Sequence, residues 1–282
     1  MKELARKLKH IMVDPALLKC GYELWPAEPE WRSRPVSRRE IEKLLTLAAD
    51  AIWVAIGVIL KVDNRRIKQE VETFFESVSS CPVVQHHGGS GFNGGLLLFV
   101  VARILKPGII VESGVFRGFT TWVLRLACPT AKIYCFDLTF RALMYRDNEA
   151  IYVERDWSKF EFSPGELRKA LCFFDDHVDQ WRRIEEAKDR EIACIIFDDS
   201  FPSHKMHCER SLAVPSAAFL LENSLKDGSR IEWRGVNGNL DYRFDAGRAV
   251  RVRGHCKSIV QLPSLCDETG YRPTSMTWVE LT

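Results

Sequence analysis

The sequence predicts an α/β protein built on a doubly wound, mostly parallel sheet. Short apolar runs alternate with helical patterns from residue 109 onward, and this order is typical of strand–helix–strand units. The runs are continuously apolar, as expected for strands that helices cover on both faces. The predicted strands are 109–113, 132–137, 151–154, 171–174 and 193–198, and the helices between them are clearest at 119–127 and 178–190.

The composition indicates a globular protein in a reducing compartment. The net charge of +2 gives no strong field, so no nucleic-acid partner is indicated. The nine cysteines are scattered without a C-x-x-C pair, and the first ten residues lack the apolar core of a secretion signal. Free thiols and a cytoplasmic location are therefore expected, and a cysteine zinc site is not.

An N-terminal helical extension, 1–85, is predicted to precede a catalytic domain, 86–282. Its most apolar segment is 44–60, which is short for a membrane span and has Asp50 inside it. We predict a buried helix or a dimer-interface helix there, so a homodimer is expected. The alternative, which we do not favour, is a helix that rests on a membrane with help from the basic residues around 65–68.

The N-terminal side of the predicted sheet carries two further signals. Ser37 and Glu40 form a predicted capping box for the helix that contains the apolar segment. The string "HHGGSGFNGG", 86–95, is a predicted glycine-rich loop that leads into the buried helix "LLLFVVARIL". We expect this loop to fold over a ligand, with Asn93 as a polar contact.

The string "IIVESGVFRG", 109–118, predicts a strand that ends in a tight, ligand-binding turn. In an open α/β sheet, ligands lie beyond the carboxyl ends of the strands. Gly114 and Gly118 permit a tight turn and a close approach of backbone to ligand. The helix that follows offers free N–H groups to an anion. Glu112, at the strand end, is expected to accept a hydrogen bond from an amino group or a bound water.

Acidic residues also follow the second and third predicted strands. Asp137 ends "KIYCFD", and a carboxylate at the end of the second strand can accept from both hydroxyls of a ribose. Together with the glycine turn, it predicts a cofactor that contains a nucleoside. Asp156, in "VERDW", follows the third predicted strand.

Carboxylates crowd the ends of the fourth and fifth predicted strands. The strings "LCFFDDHVDQW" and "CIIFDDSFPSH" supply five polar candidates, Asp175, Asp176, His177, Asp198 and Asp199. Like charges this close are unfavourable unless a cation or a proton lies among them. Oxygen ligands suit a hard divalent cation such as Mg²⁺. The four aspartates are therefore the predicted metal ligands.

These motifs resemble those of the class I S-adenosylmethionine-dependent methyltransferases. The pattern E-x-G-x-x-x-G at 112–118 is similar to their first motif, and the "FD" at 136–137 is similar to their second. "ESGVFRG" and "FDDS" resemble the macrolide-sugar O-methyltransferases and the related cephalosporin-hydroxylase-like group. The Asp-His step is similar to that of the catechol O-methyltransferases. The resemblance covers roughly residues 86–202.

The resemblance implies a Rossmann-like fold and methyl transfer from S-adenosylmethionine to a hydroxyl of a small molecule. The expected acceptor is a sugar or another natural-product diol, with Mg²⁺ assisting. The alternatives are a hydroxylase-like or non-methylating protein of the same fold, an NAD-dependent oxidoreductase, and a protein that binds a nucleoside cofactor without catalysis.

The resemblance also implies roles for individual residues. The implied cofactor residues are Glu112, Gly114, Val115, Gly118, Thr120, Asp137, Asp156 and Asn93. Asp156 is implied near the adenine. The candidate catalytic residues are Asp175, His177 and His204, and Lys205 is a further candidate base. The catechol enzymes have a lysine base at a position that is Asp179 here, so a base must come from elsewhere. The register stays open, because Asp175 matches by its place at the strand end and Asp176 matches by the Asp-His step.

Residues 203–262 form a predicted insertion before the last strands. This insertion and the N-terminal extension are predicted to serve substrate recognition. Within the insertion, "EWRGVNGNLDYRF" predicts a hairpin with Asn-Gly as its turn. The tail "RPTSMTWVELT" predicts a final edge strand.

Overall fold

The computed structural model describes residues 37–83, 89–208, 213–235 and 238–282. The helices are α1 (Arg38–Ile56), α2 (Asn64–Ser77), α3 (Gly91–Leu105), α4 (Phe119–Ala127), α5 (Gln180–Asp189), α6 (Ala246–Gly254) and α7 (Cys266–Thr269). The strands are β1 (Ile109–Ser113), β2 (Lys132–Asp137), β3 (Ile151–Glu154), β4 (Leu171–Phe174), β5 (Cys194–Phe197), β6 (Arg230–Gly235), β7 (Gly238–Arg243), β8 (Cys256–Gln261) and β9 (Thr277–Leu281).

A seven-stranded sheet in the order β3-β2-β1-β4-β5-β9-β8 organises the described residues. Strands β1 to β5 are parallel, whereas β9 runs antiparallel to both of its neighbours. Successive residues of a strand point to opposite faces. Ile110 accordingly belongs to one buried cluster and Val111 to another. Apolar cores on both faces explain the continuously apolar strands, and the predicted α/β fold class is confirmed.

The strand order reverses between β1 and β4, because β2 lies on one side of β1 and β4 lies on the other. In open α/β sheets, the crevice beyond the carboxyl ends at such a reversal is the usual ligand site. The turns after β1 and β4 therefore border the expected ligand crevice.

The predicted bounds of the first four parallel strands are those of the structure, and the fifth is shorter, at Cys194–Phe197. The prediction of a final edge strand is wrong, because β9 lies between β5 and β8. The predicted insertion, 203–262, is also too long, since its last part is strand β8 of the main sheet. Pairing between distant segments, which a local pattern does not show, accounts for both corrections.

The predicted hairpin is confirmed as β6 and β7, which pair antiparallel outside the main sheet. Gly238, the second residue of the predicted Asn-Gly turn, is the first residue of β7 and pairs with Gly235. The two residues between them lie outside the described residues.

Helix α1 begins as predicted, because the Ser37 hydroxyl accepts a hydrogen bond from the Glu40 N–H at 3.3 Å. One face of the helix is buried, and Ile52 belongs to the same apolar cluster as Ile110 of β1. The opposite face is open, and Val54 is 78% exposed. The helix is thus buried on one side only, and the dimer and membrane contacts stay predictions. Among the described helices, not one has the length and apolar character to cross a membrane.

The predicted glycine-rich loop is helical in its second half, because α3 already begins at Gly91. A Cβ on Gly95 would lie 2.5 Å from Cζ of Phe119 in α4, and one on Gly94 would lie 2.9 Å from Cε of Met276. These glycines therefore permit close packing of α3 against its neighbours. This packing outweighs the low helix propensity of glycine. Residues 86–88 lie outside the described part of the chain.

Candidate active site

The turn after β1 packs directly against the turn after β4. Gly114 has a φ of +90°, and a Cβ on it would lie 2.2 Å from the carbonyl oxygen of Asp175. Gly118 has a φ of +85°, and a Cβ there would lie 2.3 Å from the carbonyl oxygen of Tyr145. No side chain fits at either position without moving backbone. Both glycines thus have the conformational role that the sequence predicts.

The carboxylate of Asp137 holds this turn in place. Its Oδ2 accepts hydrogen bonds from the N–H groups of Val115, at 2.9 Å, and Phe116, at 3.0 Å. Its Oδ1 accepts from the N–H of Thr139 at 3.2 Å. A carboxylate offers about four acceptor positions, so acceptor capacity remains for a ligand. The predicted ribose contact of Asp137 stays a prediction.

Glu112 lies fully buried beneath the turn. The Thr120 hydroxyl donates to its Oε1, and the Thr121 hydroxyl donates to its Oε2 at 2.6 Å. Burial raises the pKa of Glu112 to about 7, although the two hydroxyl hydrogen bonds act in the opposite direction. Glu112 and Thr120 are thus hydrogen-bonded to each other. Their predicted contacts with a cofactor stay predictions.

Glu112→Gln is expected to flatten the pH dependence of the free energy of unfolding between about pH 4.5 and 7. The folded-state pKa of about 7 lies above the ordinary value of 4.5. The neutral carboxyl therefore stabilises the fold fully below pH 4.5, and this contribution is lost as the pH rises through 7. The wild-type loss is on the order of 3 kcal/mol, and glutamine has no such ionisation.

Urea denaturation at several pH values measures this difference. Glu76→Gln is the matched control, because Glu76 is exposed in α2 and its substitution should keep the wild-type profile. If Glu112→Gln kept the wild-type slope as well, the buried carboxyl would not be its source.

Three side chains near the ends of β4 and β5 form a group that could hold a metal ion. Asp175, His177 and Asp199 each offer one ligand atom, and these atoms lie within 4.8 Å of one another. His177 Nδ1 is 3.4 Å from Asp199 Oδ2. His177, at φ +54°, and Asp199, at φ +48°, are both left-handed. Such a conformation costs about 1–3 kcal/mol in a non-glycine residue and often occurs at functional sites.

Electrostatics disfavour this group without a cation. Burial, and then the charges of Asp198, Asp199 and Asp176, raise the pKa of Asp175 well above its ordinary value. Asp198 is 5% exposed, and its Oδ1 accepts from the N–H of Asp199 at 2.9 Å. A divalent cation among these carboxylates would reverse the unfavourable interaction.

Two of the four predicted metal ligands, Asp176 and Asp198, lie outside this group. Asp176 is not a member of the group, because its Oδ2 accepts from the Ser113 hydroxyl at 2.7 Å and from Arg183 Nε at 3.0 Å. His177, predicted as a catalytic residue, takes part in its place. The sequence reasoning missed Arg183 and Ser113, since nothing in the local pattern of either marks it as a partner of Asp176.

Three other predicted site residues are placed as follows. Asn93 is 1% exposed, and its amide donates to the Arg272 carbonyl at 2.8 Å and accepts from the Thr269 hydroxyl. Asp156 forms a two-point ion pair with Arg183 at 3.0 and 2.9 Å. His204 is exposed on the turn Ser203–Cys208. The structure therefore uses Asn93 and Asp156 in internal contacts and leaves His204 outside the metal-ligand group.

A small pocket of about 20 Å³ lies between the glycine turn and Asp175. This volume is close to the space that one water molecule needs. The described residues that line it are Val83, Gly89, Ser90, Gly91, Val115, Phe116, Arg117, Phe119, Thr120 and Asp175. Two predicted cofactor residues, Val115 and Thr120, thus share one pocket with a predicted metal ligand, Asp175.

Comparisons with known proteins find similarity only at the level of solved structures. No protein-family model and no curated protein matches the chain. An O-methyltransferase from Bacillus cereus in complex with SAH is 10% identical, covers 83% of this chain and 99% of its own, and gives a TM-score of 0.42. The O-methyltransferase TomG from Streptomyces achromogenes, in complex with SAM, is 12% identical, with coverages of 78% and 91% and a TM-score of 0.39.

A CmcI structure with Mg and SAM is 17% identical, over 36% of this chain and 49% of that one, with a TM-score of 0.30. The architecture is defined by the sheet. It has five parallel strands, its strand order reverses between β1 and β4, and helices cover both of its faces. The fold is a Rossmann-like α/β fold. In an open α/β sheet of this kind, the ligand crevice lies beyond the carboxyl ends of β1 and β4, where the glycine turn and the acidic group are found.

Proposed function

We propose that the chain is an S-adenosylmethionine-dependent methyltransferase that acts on a hydroxyl of a small molecule, with a divalent metal assisting. One observation carries this proposal. The turn at Gly114 packs against the backbone of Asp175, and one pocket touches both Val115 and Asp175. A cofactor in that pocket would lie beside the acidic group.

Two features of this chain suit the cofactor. Helix α4 begins after Gly118, which makes no side-chain capping bond, so the pocket lies against a helix N-terminus that favours anionic groups. Asp137 also keeps an acceptor position beyond the bonds that fix the turn. The first feature suits the carboxylate of the methionine half, and the second suits a ribose hydroxyl.

Asp175, His177 and Asp199 are the residues that would hold the metal. Their two carboxylates and one imidazole suit Mn²⁺ or Fe²⁺ as well as Mg²⁺. A divalent ion bound there would supply Lewis acidity that lowers the pKa of an acceptor hydroxyl. A diol is the proposed acceptor class, because two adjacent hydroxyls can share one ion and fix their own orientation. His204 and Lys205, both exposed beyond β5, are the proposed bases.

The pocket would contribute mainly by positioning. Holding the methyl donor and the acceptor oxygen in line can supply roughly 7–11 kcal/mol of the barrier in well-oriented cases. The glycine turn fixes the donor side, and the acidic group fixes the acceptor side. The close contact between Gly114 and Asp175 would set the distance between the two.

Calorimetry and mass spectrometry together test the proposal. We expect S-adenosylhomocysteine to bind and NAD to give no signal. Incubation with S-adenosylmethionine, Mg²⁺ or Mn²⁺ and a panel of sugar diols and catechols should give a product heavier by one methylene. A chelator should remove this product while S-adenosylhomocysteine still binds.

Three results would count against parts of the proposal. Binding of NAD without S-adenosylhomocysteine would exclude the methyltransferase. Transfer that survives chelation would exclude the metal. Binding without transfer to any acceptor would favour the alternative of a nucleoside-cofactor-binding protein.

A further inference from the structure

Arg183 of α5 is a buried cation that lies among three carboxylates. Its side chain is 1% exposed. Its Nη1 and Nη2 contact Asp156 at 3.0 and 2.9 Å, and its Nη1 also lies 2.7 Å from Glu186 Oε2. Its Nε and Nη2 contact Asp176 at 3.0 and 2.8 Å. A planar guanidinium held from several sides in this way has little freedom to move.

Asp176 is thereby tied to two elements beyond its own turn. The Ser113 hydroxyl, at the end of β1, donates to its Oδ2 at 2.7 Å, the same oxygen that Arg183 contacts. The N–H of Val178 lies 3.4 Å from its Oδ1. Its carboxylate is thus fixed on the side of the turn that faces β1 and α5.

The neighbours of Asp176 in sequence belong to a different cluster of side chains. Asp175 and His177 join Asp199 in one group, while Asp176 does not. The chain is a bend here and not an extended strand, since His177 has a φ of +54°, so the contacts of Asp176 help to fix its shape. If the tether at Asp176 were released, the turn could rotate and place Asp176, instead of Asp175 and His177, toward Asp199.

We propose that Arg183 is a positioning residue that fixes the register of this turn, so that Asp175 and His177, and not Asp176, face the metal. This inference rests on the proposed function for the presence of a metal. It goes beyond that function because it assigns a role to a residue outside the pocket. It also accounts for the two adjacent aspartates after β4: Asp175 would bind the metal ion, and Asp176 pairs with the guanidinium of Arg183.

Mn²⁺ titration followed by electron paramagnetic resonance tests the inference in the full chain. Arg183→Met should weaken Mn²⁺ binding by about 10- to 100-fold, the range for residues that orient metal ligands, and should change the Mn²⁺ line shape. Arg183→Lys keeps the charge but not the two-point contact, and should recover part of the affinity. Glu186→Gln removes a different ion pair of Arg183 and should keep the wild-type affinity and line shape.

Ser113→Ala is the second variant, for the case that Arg183→Met does not fold. It removes only the hydrogen bond from the Ser113 hydroxyl to Asp176 and should also weaken Mn²⁺ binding. Wild-type Mn²⁺ affinity in the folded Arg183 and Ser113 variants would overturn the inference, whereas the metal part of the proposed function would stand. Failure of the wild-type chain itself to bind Mn²⁺ would overturn both the inference and the metal part of the proposed function.

Discussion

Gly114→Ala is expected to abolish S-adenosylhomocysteine binding and to lower the free energy of unfolding by about 3 kcal/mol or more. The new Cβ would lie 2.2 Å from the carbonyl oxygen of Asp175, at a φ of +90°. The backbone fixes the position of the Cβ, and its partner is a backbone carbonyl, so no change of rotamer relieves the contact. The turns after β1 and β4 would have to separate, and the pocket between them would lose its shape.

Urea denaturation and calorimetry measure the two effects. Gly108→Ala is the matched control, because a Cβ there would meet nothing within 4 Å and Gly108 is exposed. It should change the free energy of unfolding by less than about 0.5 kcal/mol and leave binding unchanged. Wild-type stability and affinity in Gly114→Ala would mean that the two turns are not packed as described.

Asp175→Asn is expected to have opposite effects on activity and on the stability of the metal-free protein. The substitution removes one of the three proposed metal ligands. It should weaken Mn²⁺ binding and methyl transfer by about 100-fold or more. The metal-free protein should become more stable at neutral pH, because burial and neighbouring carboxylates raise the pKa of Asp175. A raised folded-state pKa means that stability is lost as the pH rises, and asparagine stays neutral. The gain should therefore grow with pH.

Thermal denaturation in the presence of a chelator, with the Mn²⁺ titration, measures both effects. Asp189→Asn at the exposed end of α5 is the control and should change neither quantity. If Asp175→Asn lowered both stability and activity, the carboxylate would support the fold and would not be a metal ligand.

The parallel strands could be predicted from the sequence because their signal is local. An apolar run such as "KIYCFD" is bounded by turn residues, and β2 has the predicted bounds, Lys132–Asp137. The place of β9 in the sheet could not be predicted in this way. It depends on β8 pairing with it from the outside, and this contact joins segments that a local pattern treats separately.

The candidate site could be predicted in its glycines and only partly in its carboxylates. Gly114 and Gly118 have the backbone angles that the motif implies. Asp176, however, pairs with Arg183, and a pattern of charges along the chain does not tell which aspartate has a cationic partner. No local pattern groups His177 with Asp175, because the chain bends after β4 and His177 has a φ of +54°.

The position of β9 between β5 and β8 has a consequence for the synthesis of the protein. Residues Thr277–Leu281 supply a strand with neighbours on both sides, yet they leave the ribosome after every other strand of the sheet. Until then β5 presents an open edge and β8 has no neighbour in the sheet, and unpaired edges of this kind promote association between nascent chains. The sheet can therefore close only after β9 has been translated.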